Sequence, residues 1–236
     1  MEKEKNNEAE SLGTAMSYDF TASDYLLQGE YDKALECYQN ALAVTERILG
    51  KDHPHLNIEY HHIGDVYRYK GDYGKALKYF QKALFLREKS PNNEDYVTAS
   101  LYSDVGDVYS ELGDNDNALL YFQRSLAIRE KIFTSDHALM AALYNKLAWT
   151  YHLTGKYVEA LPWAEKATAS FHNNPHIIDT LATVYQDLGR YDEAMAQFEL
   201  CLKLCKEQES LDDIQESETK IAELKELMKN GGVSEQ

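Results

Sequence analysis

Five short phrases in the 236-residue chain share one register: QGEYDKA from Gln28, KGDYGKA from Lys70, LGDNDNA from Leu112, TGKYVEA from Thr154 and LGRYDEA from Leu188. Their glycines, Gly29, Gly71, Gly113, Gly155 and Gly189, stand 42, 42, 42 and 34 residues apart. Four residues before each glycine is a tyrosine (Tyr25, Tyr67, Tyr109, Tyr151, Tyr185), and five residues after it an alanine (Ala34, Ala76, Ala118, Ala160, Ala194). Fixed residue types at fixed offsets mean a repeated unit, and a period of this size means one supersecondary element stacked on the next. Apolar residues recur at helical spacing on both sides of every glycine, so each unit reads as helix, tight turn, helix.

Helix packing explains the other recurrences. Small residues fall where two helices must approach closely: Ala22, Gly64, Gly106, Ala148 and Ala182 on the first helices, with Ala41, Ala83, Ser125, Ala167 and Cys201 on the second. Larger side chains such as Tyr60, Ile63 and Tyr67 face Phe80 and Leu84 between them. One pair cannot bury this face alone, so an all-α stack with a shared core is expected.

The register resembles the tetratricopeptide repeat, in a 42-residue form similar to the repeats of kinesin light chain. The phrases TERILGKDHPHL from Thr45, REKSPNNEDYVTA from Arg87 and REKIFTSDHALMA from Arg129 resemble the extension of that subtype, and Pro162 matches a proline near the start of some of its second helices. The resemblance implies a right-handed superhelical solenoid of five repeats, at 15–56, 57–98, 99–140, 141–174 and 175–208. Residues 1–14 are polar and aperiodic and are expected to be a disordered lead-in. Leu211, Ile214, Ile221, Leu224 and Leu227 make one apolar stripe, so 209–229 reads as a capping helix, ahead of a loose tail at 230–236. Pro54 and Pro175 suit first helical turns, and Pro91 follows a helix end.

Charge bounds the partners. With 40 acidic and 24 basic residues the formal charge is −16, which repels nucleic acid and anionic membrane and favours basic or neutral protein partners. No apolar run approaches the ~20 residues of a membrane span, and Met1 to Glu10 are charged where a secretory leader needs an apolar stretch. Three cysteines form no disulfide framework, so a reducing cytoplasm is expected.

Catalytic and cofactor signatures are missing: there is no phosphate-cradling glycine loop, nucleophile elbow or zinc-protease helix, and neither enzyme activity nor a cofactor is expected. His53, His55, His61 and His62 invite a metal reading, but adjacent helical residues point about 100° apart and the bland reading prevails. Cys201 and Cys205 read as core thiols. GDNDNA from Gly113 lacks the glycine and glutamate of a calcium loop, leaving Asp114 or Asp116 as a helix cap.

In the tetratricopeptide family one stripe of the first helices lines a concave groove that holds a segment of another protein. Carried onto this chain, the stripe comprises Asp19 and Ser23, His61, Asp65 and Arg68, Ser103, Asp107 and Ser110, Asn145, Trp149 and His152, and Asp179, Thr183 and Gln186. Trp149 is a large aromatic at a groove place, and Asp65, Asp107 and Asp179 read as an acidic track. A clamp for acidic chaperone tails is disfavoured, since Arg68 and Lys146 are the only bases nearby. The resemblance therefore implies an adaptor or scaffold. A receptor for a short signalling peptide and a regulatory subunit of an enzyme complex are the alternatives. The chain is expected to be a monomer or a weak homo-oligomer through its first repeat.

Overall fold

The computed structural model describes residues 2–90, 94–133 and 138–231, with side chains described from residue 12 to residue 229 of these. Among them there are eleven α-helices and no strand: α1 (Glu2–Leu27), α2 (Tyr31–Leu49), α3 (Asn57–Tyr69), α4 (Tyr73–Glu88), α5 (Tyr96–Glu111), α6 (Asn115–Ile132), α7 (Ala138–Leu153), α8 (Tyr157–Ser170), α9 (Pro175–Asp187), α10 (Tyr191–Glu207) and α11 (Leu211–Gly231). A 3-10 turn, Pro54–Leu56, precedes α3. Pro91 lies outside the described residues. The chain divides into two compact units, Met1–Ile128 and Arg129–Gln236. In the first, α1 packs on α2, α3 on α4, and α2 on α3; in the second, α7 packs on α8, α9 on α10, and α11 closes over α10.

One expectation fails at the start of the chain. Helix α1 begins at Glu2, inside the stretch that reads as an aperiodic lead-in. The stretch is rich in glutamate and lysine, which are good helix formers, so a helix anchored by the packed part of α1 propagates backwards with no further nucleation cost.

The tyrosine–glycine–alanine register now has a hydrogen-bonding cause. The glycines of the five phrases adopt positive φ, from 71° at Gly155 to 75° at Gly113. The residue after each donates its N–H to the carbonyl of the tyrosine five residues back, as from Asp72 to Tyr67 and from Asp114 to Tyr109, both at 2.9 Å. The glycine N–H bonds the carbonyl three back, as from Gly71 to Arg68 at 3.0 Å. This is the Schellman C-cap, which needs a left-handed residue at one place only. The alanine five residues on is fully buried in every copy, where its helix meets the first. Tyr67 and Tyr109 stack on Tyr79 and Tyr121 at 5.5 and 5.4 Å between ring centroids. Of the two candidate caps in the third phrase, Asp114 acts, its Oδ1 accepting from the N–H of Asn117 at 3.2 Å.

Residues sixteen apart carry the closest helix approach. A methyl group added to Gly64 would stand 2.6 Å from the Phe80 ring, and one added to Gly106 would stand 2.6 Å from Phe122. Elsewhere the same spacing pairs Ala22 with Tyr38, Ala148 with Ala164 and Ala182 with Phe198, each pair within one core cluster. Ser125 is buried on α6 and donates to the Ala99 carbonyl of α5 at 2.6 Å. Cys201 sits at the same register place, its Sγ 3.4 Å from the Pro175 carbonyl oxygen.

The same substitution at two helical glycines should therefore act with opposite signs. Gly106→Ala should cost about 1–3 kcal/mol by forcing the Phe122 ring aside. Gly74→Ala, at an exposed site in α4 where an added methyl meets nothing within 4 Å, should stabilise by about 0.4–1 kcal/mol. Urea unfolding of the two variants checks both signs.

Candidate functional site

In the first unit, the first helices of successive repeats are joined by charged side chains. His61, Asp65 and Arg68 rise from one face of α3 because they are one turn apart. His61 Nε2 reaches Asp104 Oδ2 of α5 at 2.9 Å and Asp65 Oδ2 at 3.5 Å. Arg68 donates to Asp65 Oδ1 through Nη2 at 2.7 Å and Nε at 3.3 Å. Asp65 of the expected acidic track is thus engaged from two sides. Burial works against a charged His61, but its hydrogen bond to Asp104 and the charges of Asp65 and Asp104 outweigh that, so it titrates above the ordinary histidine value.

Asp19 of α1 sits differently. Burial, and then the charge of Glu59, push its pKa up to about 6. His62 Nδ1 lies 4.0 Å away, but burial and the neighbouring His61 hold His62 down to about 4, so it is neutral at pH 7 and lends Asp19 no charge. Asp19 Oδ1, Glu59 Oε2 and His62 Nδ1 are all buried without a hydrogen-bond partner. Glu59 is 3% exposed at a register place filled in later repeats by Leu101, Leu143 and Ile177. That break in the apolar register was the sequence signal for Glu59, and the stripe reading passed over it, as it did over Asp104.

In the second unit, Asn145, Trp149 and His152 share one face of α7. The Trp149 indole is 40% exposed, and its ring centroid lies 4.7 Å from that of His152. His152 Nδ1 is 2.8 Å from Asp187 Oδ2 on α9. The Asn145 Oδ1 is buried with no hydrogen-bond partner. Asp179 of α9 is held by Lys220 of α11, whose Nζ stands 2.7 and 2.8 Å from its two oxygens and 2.8 Å from Glu216. The second carboxylate of the expected track is therefore also neutralised, by a helix read in sequence only as a cap. Asp107 and Gln186 stand half-buried on α5 and α9.

The remaining candidates show no assembled chemistry. His61 and His62 turn to different carboxylates, and no three His, Cys, Asp or Glu side chains among the described residues converge on a metal position. Cys201 and Cys205 lie buried with sulfurs 4.0 Å apart, and burial pushes the Cys201 thiol up to about 12, so it stays protonated. No described helix is long and apolar enough to cross a membrane.

The stacked hairpins, their Schellman turns and the repeated close contact identify the fold, and family profiles for the tetratricopeptide repeat match residues 13–89, 56–131 and 97–171, and again 176–207. The chain belongs to the tetratricopeptide-repeat family. Among solved structures, the nearly identical kinesin light chain TPR-like repeats of Podosopora anserina superpose with a TM-score of 0.71 at 22% identity, over 83% of this chain and 97% of that one. BtubC (BKLC) from P. vanneervenii gives 0.74 at 19% identity over 89% and 92%. YrrB, a TPR protein with an unusual peptide-binding site, gives 0.59 at 20% over 92% and 95%. At these identities the likeness is one of fold. None of the curated proteins matches the sequence. Tetratricopeptide folds typically bind other proteins or peptides and are generally non-catalytic, so the chain is a protein-interaction scaffold in that general sense.

The raised Asp19 gives a pH signature. Its folded-state pKa of about 6 exceeds the unfolded 3.8, so its ionisation destabilises the fold progressively as pH rises through that window. Asp19→Asn should stabilise at pH 7 by about 1 kcal/mol, after allowing for solvent screening of a half-buried group. The gain should vanish near pH 4. Urea titrations of parent and variant at the two pH values measure it.

Proposed function

We propose that the chain is an adaptor that holds a segment of a partner protein on the groove-lining faces of its first helices. The observation that carries this reading is on α7, where a buried, unpartnered Asn145 carbonyl oxygen lies one turn from the exposed Trp149 indole. An unsatisfied buried acceptor costs about 1–3 kcal/mol, and a half-exposed tryptophan buries much area at little entropic cost when covered. A peptide N–H donated to Asn145 and an apolar or cationic group laid on Trp149 relieve both. In the first unit, the half-buried Asp19 offers a carboxylate with an unpartnered oxygen to a cationic side chain. The segment is therefore net basic or neutral.

Trp149→Ala should raise the dissociation rate of the partner isolated with the chain by about tenfold or more, with little change in association. Replacing Asp19 and Asp107 together by asparagine should instead lower the association rate and flatten its salt dependence. Surface plasmon resonance at two ionic strengths separates these effects. Unchanged binding by both variants would move the partner off these faces.

A further inference from the structure

We propose that the outer face of α4 is a second docking surface, for an acidic peptide segment of another protein that carries a large apolar side chain. Lys75, Lys78, Lys82, Phe85 and Lys89 recur at three- and four-residue steps, so they form one exposed stripe on the helix. Helix α4 itself holds a single acidic residue, Glu88, in a chain of net charge −16. The stripe borders a depression whose walls are Lys51, Lys78 and Lys82, with Tyr60, Phe85 and Leu86 as its apolar surface and Asp52 as its one carboxylate. Phe85 is 54% exposed, and Lys89 stands 3.9 Å over its ring.

The protein's own repeats separate what the fold needs from what it does not. The place of Lys82 holds Arg124 and Lys166 in other second helices, and all three lie over tyrosine rings, so a cation there belongs to the packing. Lys78 has no such counterpart, because Glu36, Leu120, Pro162 and Ala196 occupy its place. Phe85 corresponds to Ala43, Ala127, Ala169 and Lys203. Four other hairpins fold without the lysine or the phenylalanine. A half-exposed aromatic capped by the Lys89 ammonium and sharing its depression with Lys51, Lys78 and Lys82, dispensable for folding, is a surface built for a ligand.

Charge selects the occupant. A carboxylate-rich segment gains from Lys51, Lys78 and Lys82 around the depression, Lys75 being already paired with Asp72 at 2.7 Å, and its apolar side chain covers Phe85. A membrane or nucleic acid presents a wide anionic surface and meets the repulsion of the whole chain. A short peptide reaches into the patch and feels chiefly the charges within the Debye length of about 8 Å.

Selection from a random peptide display library on the whole chain tests the proposal, using variants that copy the other repeats, Lys78→Glu after Glu36 and Phe85→Ala after Ala43. Enriched peptides should combine several carboxylates with a large apolar residue. Each variant should bind them about tenfold or more weakly, affinity should fall with added salt, and Trp149→Ala should leave binding intact. The proposal is overturned if no acidic peptide is enriched, if both variants bind the enriched peptides as the parent does, or if Trp149→Ala abolishes binding. Co-sedimentation with phosphatidylserine vesicles in place of peptide binding also overturns it.

Discussion

The contact between Gly106 and Phe122 leaves no room for one methyl group, and the rest of each repeat is arranged around that approach. With the first helix this close to the second, the turn between them must be short. The turn used is a Schellman cap with glycine in the left-handed region. The cap in turn directs the alanine of the second helix into the interface, and the bulky residues into the space between neighbouring hairpins. Side chains on the opposite face of each first helix are released from packing and remain available for recognition. Repeat architecture thus spends most of its sequence on a few contacts and leaves stripes free to differ.

Those free stripes are where the copies diverge, and the divergence is electrical. In the first-helix faces the carboxylates expected to form a track are largely met within the fold, Asp65 by Arg68 and His61, Asp179 by Lys220. The unmet groups are fewer and more local: Asp19, Glu59 and His62 in one unit, Asn145 in the other. The basic stripe of α4 opposes the sign of the chain as a whole. A net charge of −16 therefore describes the encounter at long range and says little about what each face prefers at contact.

The fold was legible because it rests on identities repeated five times, from Tyr25–Gly29–Ala34 to Tyr185–Gly189–Ala194. The site was legible in outline only. Stripe positions follow from helical periodicity, so Asp19, His61, Trp149 and Asp179 could be placed on their faces. Their partners come from neighbouring repeats, as His61 meets Asp104 across 43 residues and Lys220 meets Asp179 across 41. Periodicity within one helix carries no record of which side chain across the gap is long enough to reach. Glu59 was readable in principle, since the register places it among leucines and isoleucine. The start of α1 was not, because its first turns are polar on every side and carry no apolar period to detect.

The dependence of the repeat on its closest contact is tested most directly by a double-mutant cycle between Gly106 and Phe122, with unfolding free energies measured in urea. Phe122→Ala combined with Gly106→Ala creates the kind of pair found at Ala148 and Ala164, so Phe122→Ala should remove the penalty of Gly106→Ala, leaving that substitution neutral or stabilising and a coupling of about 1 kcal/mol or more. If Gly106→Ala costs the same with alanine at position 122 as with phenylalanine, the two residues do not set the approach of the helices, and the account built on it fails.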